Sequence, residues 1–194
     1  MVEKGVLPDF MVRYGIRQLI KQRLKEEFAN NIGEIIHIRG NLVNTKIKSI
    51  DSYTKQLEKV FAPESVTITL EEDYDLSRGD MIVKPTNMPK IGQDIDVMVC
   101  WLNPKPLNPR GKYIIRHTTR EVKAMVKEVR YKVDINSLHR VEGDTSINMN
   151  DIGRIQLRTS KPLFYDTYRR NRETGSLIII DEFTNETVGA AMIL

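Results

Sequence analysis

From residue 34 to the C-terminus, apolar residues recur at every second position in short runs separated by Gly, Pro, Asn and Asp. A chain patterned this way folds as half-buried antiparallel strands. Val66-Thr67-Ile68-Thr69-Leu70 is the cleanest run, and it places Val66, Ile68 and Leu70 on one face. Ile35–Ile38 and Val43–Ile50 flank the turn Arg39-Gly40-Asn41 and read as a hairpin. Met81–Val83, Ile95–Leu102, Tyr113–His117, Val122–Val133, Ile152–Arg158, Ser176–Asp181 and Thr187–Ile193 read as further strands. They are rich in β-branched and aromatic residues and are spaced by turn signals, as in a sandwich or barrel. Three prolines keep Asn103–Gly111 out of any central strand, so it reads as a loop.

The opening segment follows a different period. Val12, Ile16, Leu19, Ile20, Leu24 and Phe28 recur at steps of three and four, which predicts an amphipathic helix over residues 8–29 with Asp9 as its cap. Asn30-Asn31 and Gly33 supply the stop. The Pro- and Gly-containing stretch KPTNMPKIGQD between Val83 and Ile95 reads as a linker. The expected fold is mainly β: two successive barrel-like modules preceded by one N-terminal amphipathic α-helix, with divisions at 1–31, 32–88 and 89–194.

Composition narrows the chemistry. The 30 basic residues face 26 acidic ones, a net charge of only +4, so cationic character has to come from clusters. Two clusters stand out, Arg13–Arg17–Lys21–Arg23–Lys25 and Arg169–Arg170–Arg172, each of which reads first as a solvated surface and second as a contact surface. The single cysteine, Cys100, lies in an apolar run and is expected to be a small buried hydrophobe, which suits a reducing, cytoplasmic setting. No apolar run approaches the roughly 20 residues of a spanning helix, so no membrane partner is expected. Neither GxxxxGK[ST] nor GxGxxG occurs, and no nucleotide cofactor is expected in this chain. His37, His117 and His139 are far apart without neighbouring Cys or His, which gives no metal ligand set. His117, at a strand end, reads as a satisfied structural histidine, and Glu71-Glu72-Asp73 with Asp75 as a solvated loop. No catalytic residue is nominated.

Several blocks carry a family resemblance. They are Ile95–Leu102 (IDVMVCWL), Pro109–Tyr113 (PRGKY), Arg116–Arg120 (RHTTR), Val126–Asn136 (VKEVRYKVDIN) and Thr159–Ile193. Together they resemble the third domain of the GTPase subunit of sulfate adenylyltransferase, a relative of elongation factor Tu. Lys46–Asp51, Phe61–Leu70 and Ser77–Val83 resemble the end of that subunit's second barrel. The opening residues 1–26 look, less specifically, like the N-terminal helix of methyltransferases related to cyclopropane-fatty-acid synthase.

The resemblance implies that the first barrel is truncated and that GTP and magnesium belong to a GTPase domain this sequence does not contain. It also implies an accessory, non-catalytic portion of an enzyme that makes adenylyl sulfate from ATP and sulfate. The expected partners are the adenylyltransferase catalytic subunit, a GTPase domain, or both. Arg116, Arg120, Arg169, Arg170 and Arg172 are the candidate partner-binding residues, because arginine pairs carboxylates bidentately and is enriched at interfaces. A truncated barrel would leave an open edge, which makes a homodimer a further expectation. The alternative reading is an RNA-binding barrel of the translation-factor kind. Only 7% of residues are aromatic and no stacking motif is present, so the sequence gives that alternative little support.

Overall fold

The computed structural model describes residues 34–194 apart from Gly40, Thr54, residues 59–64, Asp75 and Pro85. The helix expected over residues 8–29 lies outside the described residues, and among these there is no helix. The chain divides between Met88 and Pro89 into two compact units.

The first unit holds β1 (Glu34–Arg39), β2 (Asn41–Asp51), β3 (Thr67–Leu70) and β4 (Met81–Val83), in the antiparallel order β3-β2-β1-β4. The predicted hairpin is present, with Arg39 opposite Asn41 at its turn. Ile47, Ile50 and Val66 form its buried cluster, and half-buried Leu57, Ile68, Leu70 and Ile82 pack on it. Among the described residues this sheet does not close, and β3 and β4 are its edges.

The second unit is a closed barrel. Its strands are β5 (Lys90–Trp101), β6 (Lys112–His117), β7 (Arg120–Val133), β8 (Arg140–Val141), β9 (Ile152–Tyr165), β10 (Ser176–Asp181) and β11 (Thr187–Ile193). The order β6-β10-β11-β5-β9-β7 returns to β6 through the β6–β7 hairpin, so six antiparallel strands leave no free edge between them. Two-residue β8 pairs outside the ring, on β7 alone.

Strand alternation fills the interior. Ile95, Val97, Val99 and Trp101 of β5 point inward with Tyr113, Ile115, Val122, Ala124, Val126, Ile155, Leu157, Leu177, Ile179, Val188, Ala191 and Ile193 from the other strands. Cys100 falls on the opposite parity and is half-exposed, not buried as its apolar neighbours suggested. Leu107 and Ile147 stop one end of the barrel, where Leu107 N–H donates to the Ile147 carbonyl at 2.8 Å. There the Trp101 indole N–H donates to the Lys105 carbonyl at 2.7 Å, and its ring meets Tyr113 edge-on with centroids 5.8 Å apart.

Two strands, β5 and β9, run well past a predicted end. β5 begins at Lys90, so Lys90–Gly92, read as linker, pair with Leu163–Tyr165. β9 runs on to Tyr165 for the same reason, past an irregularity in which Arg158 faces Asp94 and Leu163 faces Gly92. Pro162 lies inside that irregularity, where a missing N–H costs no ladder bond.

Candidate functional site

The end of the barrel opposite the Leu107–Ile147 stopper is built from the β6–β7 turn and from residues 166–175, which connect β9 to β10. All five candidate arginines lie on these segments or beside them.

His117 is the last inward residue of β6, below Tyr113 and Ile115 on the same strand face, and is only 1% exposed. Its Nε2–H donates to the main-chain carbonyl of Thr174 at 2.8 Å, which fixes that nitrogen as the protonated one in the neutral ring. The same carbonyl accepts the N–H of Asp166 at 3.1 Å, and the Thr174 hydroxyl donates to Asp166 Oδ2 at 2.6 Å. Asp166 and Thr174 are both buried, so main chain and side chain together tie the connection at its neck. Burial pulls the His117 pKa below its ordinary 6.5; the Thr174 carbonyl and the Asp166 carboxylate oppose this without overcoming it, and Arg120 adds to the lowering.

Within the connection, Arg170 and Asn171 donate their N–H groups to the Thr167 carbonyl at 2.9 and 3.0 Å, and Tyr168 N–H reaches the Ile193 carbonyl at 2.8 Å. Gly175 makes the close return possible. A Cβ there would stand 2.4 Å from both Cα and N of Tyr168 and 2.6 Å from the Asn171 carbonyl oxygen, all backbone atoms that cannot swing aside.

The arginines differ in what holds them. Arg169, Arg170 and Arg172 are exposed. Arg170 Nη1 stands 3.8 Å from buried Asp166 Oδ1, and the Arg172 guanidinium lies 6.0 Å from the centre of the Tyr168 ring. Arg120 is half-buried and stacks 5.0 Å above Phe164. Arg116 is exposed and bound to Glu121 across the hairpin at 2.7 Å. The structure thus gathers Arg120 and Arg170 around the His117–Asp166 cluster, with Arg169 and Arg172 on the same short connection. Arg116 is already engaged by its neighbour. The part played by Asp166 and Thr174 was not read from the sequence, where the only hint is two polar residues bracketing an Arg-rich run that ends in Gly175.

Elsewhere on the barrel wall, charge is internally matched. Asp96 meets Arg154 at 2.9 Å and Arg130 at 3.3 Å, and Asp94 meets Arg158 at 2.5 Å, in a ladder across β5, β9 and β7. Among the described residues no group of three or more His, Cys, Asp or Glu could hold a metal ion.

Residues 94–194 match the family described as GTP-eEF1A C-terminal domain-like. The bifunctional enzyme CysN/CysC of Rhodopirellula baltica is 43% identical over 162 residues, which is 84% of this chain and 25% of that protein. The CysN/CysC enzyme of Mycobacterium tuberculosis is 38% identical over 95% of this chain and 32% of its own length. Sulfate adenylyltransferase subunit 1 of Bacteroides thetaiotaomicron is 35% identical over 95% of this chain and 41% of its own length. An alignment over 95% of the chain reaches into residues 1–31, and the comparisons lend no support to the methyltransferase-like reading of that segment. The chain spans between a quarter and two fifths of the length of these relatives. The crystal structures of Sup35 with GDP and with GMPPNP superimpose with a TM-score of 0.73 at 12% identity, covering 86% of this chain and 41% of theirs, and so share its fold. The chain belongs to the family described as GTP-eEF1A C-terminal domain-like, and it is similar to the matched stretches of CysN/CysC and of sulfate adenylyltransferase subunit 1.

Proposed function

We propose that this chain is the docking portion of a sulfate adenylyltransferase GTPase subunit, a cytoplasmic protein that binds its catalytic partner subunit and carries out no chemistry by itself. Making adenylyl sulfate from ATP and sulfate, and hydrolysing GTP to drive it, then belong to the assembled enzyme. The observation that carries this reading is the set of exposed arginines, Arg169, Arg170 and Arg172, on a connection tied at its neck by buried Asp166, Thr174 and His117. Guanidinium groups that face solvent from a hydrogen-bonded connection can each pair a carboxylate bidentately, so this arginine cluster suits an acidic protein surface.

The test is retention of the purified catalytic subunit on the immobilised chain. Retention at micromolar concentration, weakened when Arg169, Arg170 and Arg172 are changed together to Gln, supports docking. No retention contradicts it, and steeply salt-dependent capture of tRNA in its place would favour an RNA contact.

A further inference from the structure

The hairpin joining β7 to β8 ends in a turn that is costly by its own energetics. Leu138 is 77% exposed and has φ of 58°, in the left-handed region where a bulky side chain crowds its own backbone. Asn or Gly would occupy that position at lower cost. Ile135, three residues earlier, is 59% exposed. Both side chains leave most of their surface in water.

The main chain of the turn is nevertheless held by several hydrogen bonds. Asp134 Oδ1 accepts the N–H groups of Asn136 and Ser137, both at 2.8 Å, and these bonds hold the carboxyl below its usual range. The Asp134 carbonyl accepts Leu138 N–H at 2.8 Å, and Asp134 N–H donates to the His139 carbonyl at 2.9 Å. Beside the tip, exposed Arg140 stacks 4.8 Å over Tyr131, and among the described residues no carboxylate is within ion-pair distance of it. Two exposed apolar side chains on a hydrogen-bonded turn, beside a guanidinium with no ion-pair partner among the described residues, have the make-up of an interface anchor.

We infer that Ile135 and Leu138 seat in an apolar cleft on another protein whose rim supplies a carboxylate to Arg140. Two side chains cover far less than the roughly 800 Å² per partner of a stable interface, so the tip is one anchor within a larger contact and not a self-pairing face. The inference rests on the docking reading and names a second contact point, on the hairpin beyond the Leu107–Ile147 end of the barrel.

The experiment compares the whole chain with Leu138→Asn and Ile135→Ser, measuring thermal midpoint and affinity for the purified catalytic subunit. Leu138→Asn relieves the backbone and should raise the midpoint by about 2–4 °C, yet weaken binding about tenfold or more. Ile135→Ser should weaken binding comparably with the midpoint unchanged. If the wild-type chain binds and both variants bind equally well, the anchor is overturned while docking stands; if the wild-type chain does not bind, both fall. A lowered midpoint for Leu138→Asn would show that the leucine serves the fold, and a loss confined to self-association would make a second copy the occupant. Either result overturns the inference.

Discussion

The imidazole of His117 and the main-chain carbonyl of Thr174, 57 positions apart in the sequence, are joined by a 2.8 Å hydrogen bond buried at the end of the barrel. This bond ties the β6–β7 turn to the Arg-bearing connection, and the proton it uses sits on a ring whose second protonation is disfavoured by burial.

A pH dependence follows. The folded pKa of His117 lies below the ordinary 6.5, so as pH falls the unfolded chain takes up this proton first. The contribution is fully present above about pH 6.5 and is lost as pH drops through the folded value. Urea unfolding from pH 8 to pH 5 should show this loss, and His117→Gln, which keeps a donor for Thr174 but does not titrate, should flatten it in that window.

Gly175→Ala should be among the most damaging single-methyl additions in the barrel. The new carbon would lie 2.4 Å from main-chain atoms of Tyr168, so the connection has to open. A loss at the upper end of the roughly 1–3 kcal/mol of overpacking is expected. Hydrogen exchange should speed up at Arg170 and Asn171, whose N–H groups hold the turn.

Burial outweighs ion pairing in this barrel. Leu157→Ala, at a fully buried inward position of β9, should cost about 2–5 kcal/mol. Asp96→Asn removes the partner of Arg154 and Arg130 in a half-exposed ladder, and after solvent screening it should cost no more than about 1 kcal/mol. Denaturant midpoints of the two variants check the ranking, and a larger effect for Asp96→Asn would reverse it.

Most strands could be read from the sequence because apolar and polar residues alternate over most of their length. Ser176–Asp181 and Thr187–Ile193 are found with the predicted ends, and their alternation breaks only at one irregularity, where Ile179 and Ile180 on one strand and Val188 and Gly189 on the other are buried in succession. The far half of β9 could not be read, since Lys161-Pro162 breaks local propensity and only the pairing of Leu163–Tyr165 with Lys90–Gly92 makes it a strand. Cys100 was misplaced because hydrophobicity alone does not distinguish the two faces of a strand, whereas parity with Trp101 does. The Arg-rich run was visible as a cluster. The bonds of Asp166 and Thr174 that shape it span the whole connection, and their link to His117 depends on barrel closure.

Calorimetric titration of the purified catalytic subunit with this chain, at physiological salt and without nucleotide, tests the account most directly. Saturable one-to-one binding at micromolar or lower concentration, with no GTP turnover by the chain alone, is the predicted result. No binding, or GTP hydrolysis by the isolated chain, would contradict it.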